Sequence, residues 1–172
     1  MIRALAFLRA LNVGGNNRIA MRELARAFEI EGCTNVRTYI QSGNVVFDAP
    51  ALGPIPRRVT NRLRESHGVD SPVILRTAEE FRAAVKACPY APDTPRLHLC
   101  FLEGAGEPAL LDPTRSPADR FTITGRDMYI VFGEGAGQSK LTNAYIDKAL
   151  GTRSTMRNWN TVSAMMVLLD AS

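Results

Sequence analysis

The order of apolar runs and helix-period segments between Ile2 and Arg76 leaves this 172-residue chain very few folds to choose from. Ile2 to Arg9 is a short apolar run of buried-strand character that feeds a loop containing Gly14-Gly15. Met21, Leu24, Ala25 and Phe28 then recur at helical spacing, and Gly32 stops that helix. Val36 to Gln41 reads as a strand, Ser42-Gly43 as a tight turn, and Asn44 to Phe47 as the returning strand. A Pro- and Gly-containing loop from Ala49 to Pro56 precedes a helix marked by Val59 and Leu63 and ended by Gly68; Pro72 to Arg76 is a fourth strand. The resulting order, β-α-β-β-α-β, is the ferredoxin-like plan with both helices on one sheet face, and the right-handedness of crossovers leaves few alternatives.

The remainder is less regular. Thr77-Ala78-Glu79-Glu80 is a capping box for a helix over Phe81 to Ala87, and Leu97 to Leu102 reads as a strand. Gly104 to Pro117 reads as a connection or lid; Arg120 to Thr124 and Met128 to Phe132 form a hairpin around Gly125-Arg126-Asp127. Leu141 to Leu150 is a helix closed by Gly151. Asn158 is the N-cap of a last helix carrying Val162, Met165, Met166 and Leu169 on one face. No linker, internal repeat or low-complexity tract interrupts the chain. The expectation is an α+β fold forming one compact domain over residues 1–172. A ferredoxin-like subdomain at 1–76 packs in it against a second α+β subdomain at 77–172.

Composition narrows the function classes. No apolar run approaches the ~20 residues needed to cross a bilayer. The N-terminal run flows into Asn12-Val13-Gly14-Gly15 without a small-residue cleavage site, so it reads as a strand, and a cytoplasmic protein with no membrane partner is expected. Cys33, Cys88 and Cys100 are odd in number and widely spaced, and His67 and His98 are isolated. Neither a disulfide framework, a metal site nor a cofactor is implied. Eighteen of the 21 basic residues are Arg, the better side chain for bidentate recognition of phosphate or carboxylate, but genome base composition, which also favours Ala, Gly and Pro, is the first explanation of the bias. A net charge of +4 does not by itself make a nucleic-acid binder.

Three polar signatures stand out: Arg9 to Asn17, Thr38 to Asn44, and Thr155 to Thr161. In a β-α-β-β plan the first two strands run parallel, so the loops after them share one edge of the sheet. That edge collects Arg9, Asn12, Gly14, Gly15, Asn17, Gln41, Ser42 and Asn44, a convergence of donors and acceptors that signals a binding site. Each Gly, Ser and Asn taken singly is explained by turn chemistry, but Arg9 and Gln41 have no turn role. In the third signature Trp159 reads as a core anchor, while Arg157, Asn158 and Asn160 open a helix where an anion could bind. Lys140 follows the Gly-rich stretch 133–139, which lacks the order of a phosphate-binding loop. No serine elbow, metalloprotease helix or paired-carboxylate motif is present.

At these signatures the chain resembles a bacterial family known as domain of unknown function 1697. The resemblance rests on Leu8-Arg9-Ala10-Leu11-Asn12-Val13-Gly14-Gly15, Met21, Leu24, Thr38 to Phe47, Ser139-Lys140-Leu141 and Thr155 to Thr161. Members usually carry Arg-Gly-Ile where this chain has Arg9-Ala10-Leu11. The resemblance implies a compact α+β protein with a ferredoxin-like half and implies no reaction.

Three functions are therefore weighed. The first is binding of a small anionic or phosphorylated ligand, a nucleotide or a nucleic acid, in a cleft between the halves lined by Arg9, Gln41, Asn44, Lys140 and Arg157. The second is a small-molecule metabolic enzyme of unassigned reaction. The third is a structural or interaction module with no ligand, in which the signatures only hold the fold.

Overall fold

The computed structural model describes residues 1–171, which contain eight strands and five α-helices. The strands assemble into two four-stranded sheets, and the chain divides into two compact units. The first comprises Met1–Ala83 with the chain from Ala164 onward, and the second Ala84–Ser163.

The first unit contains β1 (Ile2–Leu8), α1 (Met21–Ile30), β2 (Thr34–Tyr39), β3 (Asn44–Ala49), α2 (Ile55–His67) and β4 (Val73–Thr77). Its sheet order is β2-β3-β1-β4 with every neighbouring pair antiparallel, which is the ferredoxin-like arrangement expected from the element order. Leu24 and Phe28 of α1 and Val59 and Leu63 of α2 bury against Ala4, Ala6, Leu8, Val45 and Phe47. The Phe28 and Phe47 rings sit 5.1 Å apart. Residues of the opposite face, Leu5, Phe7, Val46, Ile74 and Arg76, are buried as well. The Phe81 ring lies 5.9 Å from that of Phe7. Burial on both faces is why β1 reads from Ala4 to Leu8 as a continuous apolar run where a one-sided strand would alternate.

The capping box forms as expected: Thr77 N donates to Glu80 Oε2 at 2.8 Å, and Glu80 N donates to Thr77 Oγ1 at 3.1 Å. It opens α3 (Ala78–Lys86). The second unit then holds β5 (Leu97–Leu102), β6 (Arg120–Thr124), β7 (Asp127–Val131), α4 (Asn143–Leu150) and β8 (Ser154–Asn158), and α5 (Trp159–Asp170) follows. Its sheet order is β6-β7-β5-β8, again antiparallel throughout. With β5 in the place of β1 and β8 in the place of β4, this is the strand order of the first unit. The fold therefore repeats where the sequence shows no repeat. The second half reads as irregular because its first crossover, residues 103–119, carries only a short 3-10 turn at Pro108–Leu110 where the first unit has α1.

Two boundaries are corrected. The helix expected from Leu141 starts at Asn143, because Thr142 Oγ1 accepts from Tyr145 N at 3.2 Å and acts as the N-cap. Thr155 to Asn158 does not open a helix; it lies in β8, paired Leu99↔Arg157 and His98↔Asn158 with β5. Four of the five residues of that strand are polar and no hairpin turn joins it to its partner β5, so neither of the signals that mark the other strands is present. Asn158 nevertheless caps α5 as expected, its Oδ1 accepting from Thr161 N at 2.9 Å. Among the described residues no helix is long and apolar enough to cross a membrane.

Candidate functional site

The loop after β1 and the turn after β2 meet at one rim of the first unit. Asn12 Nδ2 donates to the Gln41 carbonyl at 2.7 Å and to the Ile19 carbonyl at 3.1 Å, while Asn12 Oδ1 accepts from Ile19 N at 2.8 Å. One side chain thus clamps both ends of its own loop and ties it to the neighbouring turn. Within the loop, Asn16 N donates to the Val13 carbonyl and Asn12 N to the Asn17 carbonyl, at 3.0 and 3.1 Å. The backbone is left-handed at Ala10, Asn12, Gly14, Gly15 and Asn17, a conformation that Gly and Asn adopt most readily and Ala does not.

Asn17, Asn44 and the Arg9 backbone are similarly engaged. Asn17 Nδ2 donates to the carbonyls of Asp70 (2.9 Å) and Ala10 (3.3 Å), and its Oδ1 accepts from Asp70 N. Asn44 is fully buried and donates to Ser42 Oγ and the Tyr39 carbonyl, at 3.0 and 3.1 Å, bracing the turn from inside. The Arg9 backbone is held by Pro72 and by the hydroxyl of buried Ser71, which donates to the Arg9 carbonyl at 2.6 Å.

What this scaffold leaves open is a depression of about 520 Å³ lined by Asn12, Gly15, Arg18, Ile19, Ala20 and Gln41. Arg18 and Gln41 are exposed there. The helix that begins at its edge, α1, has Ala20 as N-cap, so no side chain satisfies its first-turn N–H groups. The nearest acidic group on the helix, Glu23, is approached by Arg22 Nε and His67 Nε2, each at 3.7 Å. Arg18 was not among the residues read from the sequence; an arginine closing a Gly-Gly loop just ahead of an uncapped helix is the signal that marks it.

The remaining signature residues lie in the second unit. Arg157 is buried and its Nη1 donates to Thr155 Oγ1 at 2.9 Å and the Met156 carbonyl at 3.0 Å. Burial lowers its guanidinium to about 10, which leaves it a cation at neutral pH. Asn158 spends its side chain on the α5 cap, and Asn160 is exposed in the first turn of that helix. Lys140 is exposed; its N–H donates to Ser116 Oγ at 3.3 Å and its carbonyl accepts from Arg115 Nε at 3.0 Å. Beside it, Ser139 Oγ donates to Asp119 Oδ2 at 2.5 Å and accepts from Leu141 N at 2.9 Å, while Asp119 Oδ1 accepts from Gly133 N. Burial pushes the Asp119 carboxyl up, but the hydrogen bonds from Ser139, Ser116 and Gly133 outweigh it and hold the group below the usual carboxylate range.

These features define an α+β protein built on a ferredoxin-like sheet, and its rim carries the candidate site. The chain belongs to the family described as Protein of unknown function (DUF1697), whose profile matches residues 1–129. The solved structure of a conserved bacterial protein from Streptococcus pneumoniae is similar, with a TM-score of 0.73, 20% sequence identity and 98% of each chain covered. At that identity the likeness shows a shared fold. No match is found among curated proteins.

Proposed function

We propose that the rim of the first unit binds a small anionic ligand, a phosphorylated molecule such as a nucleotide being the best match. The observation that supports this reading is the division of labour at the rim. Asn12, Asn17 and Asn44 are committed to holding the loop and turn, whereas Arg18 and Gln41 project beside an uncapped helix N-terminus. Such an N-terminus carries partial positive charge and unsatisfied N–H donors, and an arginine adds a bidentate fork. A volume of about 520 Å³ is within the range of small-molecule sites. Gly15 lets the backbone come close to the bound group, and Gln41 supplies a neutral donor and acceptor that discriminates among oxyanions.

Calorimetric titration with inorganic pyrophosphate tests the proposal. Wild-type protein is expected to bind saturably, and Arg18→Ala to weaken binding by about tenfold or more, the loss of one charge-assisted contact. Equal affinity of wild type and Arg18→Ala, or no binding by the wild type, overturns it. A nucleic acid at the same rim is distinguished by salt, because affinity for an oligonucleotide falls steeply and log-linearly as salt rises.

A further inference from the structure

We infer that the second unit carries a phosphate-binding site of its own, formed where its first crossover lacks a helix and centred on Arg115, Thr142 and Lys148. In the first unit the crossover after the leading strand is α1, which packs on α2. In the second unit the corresponding stretch, residues 103–119, is irregular, and a concavity of about 610 Å³ lies along α4. Arg115, Thr142, Ala144, Tyr145, Lys148 and Ala149 line it.

Arg115 is held ready for an oxyanion. Its guanidinium carbon lies 4.0 Å from the centre of the Tyr145 ring, a cation–π contact that fixes the plane of the group. Its Nε donates to the Lys140 carbonyl at 3.0 Å, and the two terminal nitrogens have no hydrogen-bond partner among the described residues. A guanidinium anchored through Nε and stacked on one face presents those terminal nitrogens as a fork. Thr142 uses its oxygen as acceptor for the helix cap and keeps its hydroxyl hydrogen to donate. Lys148, six residues beyond Thr142 on α4, adds a second cation, and small Ala144 and Ala149 leave room between them. Two cations suit a phosphomonoester dianion better than a single carboxylate.

The crossover bearing Arg115 is pinned in place. Asp112 N donates to the Tyr145 hydroxyl at 3.0 Å, Ser116 Oγ is 3.3 Å from Ser139 Oγ, and Ser139 is bonded to Asp119. Asp112, an acidic residue within electrostatic reach of Arg115, turns its Oδ1 into its own loop, accepting from Thr114 N at 2.8 Å and Thr114 Oγ1 at 2.7 Å. This site is independent of the rim of the first unit, sharing no residue with it.

Amide-resolved NMR titration of the full chain with inorganic phosphate, against acetate at matched ionic strength, tests the inference. Phosphate is expected to shift the amides of Thr142 to Lys148 and the Arg115 Nε–H saturably, with acetate leaving them in place. Arg115→Lys and Lys148→Ala should each weaken binding by about tenfold, the first because lysine keeps the charge but loses the fork. Arg18→Ala should leave these shifts unchanged, which separates the outcome from that of the rim. Both substitutions are at exposed positions, and an unchanged amide spectrum of the free variants certifies their fold. Equal shifts with acetate, or undiminished phosphate shifts in Arg115→Lys and Lys148→Ala, overturn the inference.

Discussion

The two units use one sheet plan and finish it differently. In each, the strand in the place of β1 pairs with an edge strand carrying a buried arginine, Leu5↔Arg76 in one and Leu99↔Arg157 in the other. Each of these arginines turns an Nη1 back to the carbonyl of the residue before it, at 2.9 and 3.0 Å. The sheets differ at their first crossover. One is a loop locked by asparagines and continued by a helix; the other is an irregular strap pinned through Ser139 and Asp119. Strand order is thus set by the apolar runs and their turns, while the crossovers are free to vary, and the concavities able to take a ligand arise there.

The two units differ most at their hairpin turns. A Cβ on Gly43, at φ +83°, would lie 2.8 Å from Leu11 Cδ1 and 2.9 Å from Leu8 Cβ, whereas one on Gly125, at φ +62°, meets nothing within 4 Å. Gly43→Ala should therefore cost about 3 kcal/mol, from overpacking added to the left-handed backbone, and Gly125→Ala only about 1 kcal/mol. Denaturant unfolding of the two variants measures both, and equal losses would show that the two turns are packed alike.

Next in size is the asparagine clamp. Asn12→Ala removes three side-chain hydrogen bonds and should destabilise the protein by about 2 kcal/mol. Ala10→Gly acts in the opposite sense. Ala10 sits at φ +59°, so glycine should stabilise by about 0.5–1 kcal/mol, seen as a higher unfolding midpoint.

The smallest effect belongs to the second unit's pin. The folded-state carboxyl of Asp119 is held below its unfolded value. Its contribution to stability is therefore present above the unfolded value of about 3.9 and is lost as pH falls through the lower folded one. Unfolding midpoints measured from neutral pH into acid should decline less steeply in Asp119→Asn, which starts from a lower stability.

Seven of the eight strands were legible: five as apolar runs, because burial writes itself into Leu8, Phe47 or Phe101 and their neighbours, and the edge strands β2 and β6, which bury no residue, through the hairpin turns that end them. β8 was not, since Ser154, Thr155, Arg157 and Asn158 are polar and owe their place to pairing with β5. The repeated sheet escaped notice because strand order is a property of pairing, and unrelated residues satisfy it equally well. At the rim, sequence placed Asn12 and Gln41 side by side but could not tell clamp from contact: an amide that caps a loop and one that meets a ligand are chemically the same. Arg18 carried a signal in its place between Gly14-Gly15 and a helix with Ala20 as N-cap, whereas Arg115 becomes visible only once the strap around it is folded.

Clamp and contact are separate residues at one rim. Thermal midpoint and pyrophosphate affinity, measured together on Asn12→Ala and Arg18→Ala, test it directly. Asn12→Ala is expected to lose stability, and Arg18→Ala to keep the wild-type midpoint while losing affinity. An Arg18→Ala variant that binds as wild type, or that unfolds as early as Asn12→Ala, would contradict it.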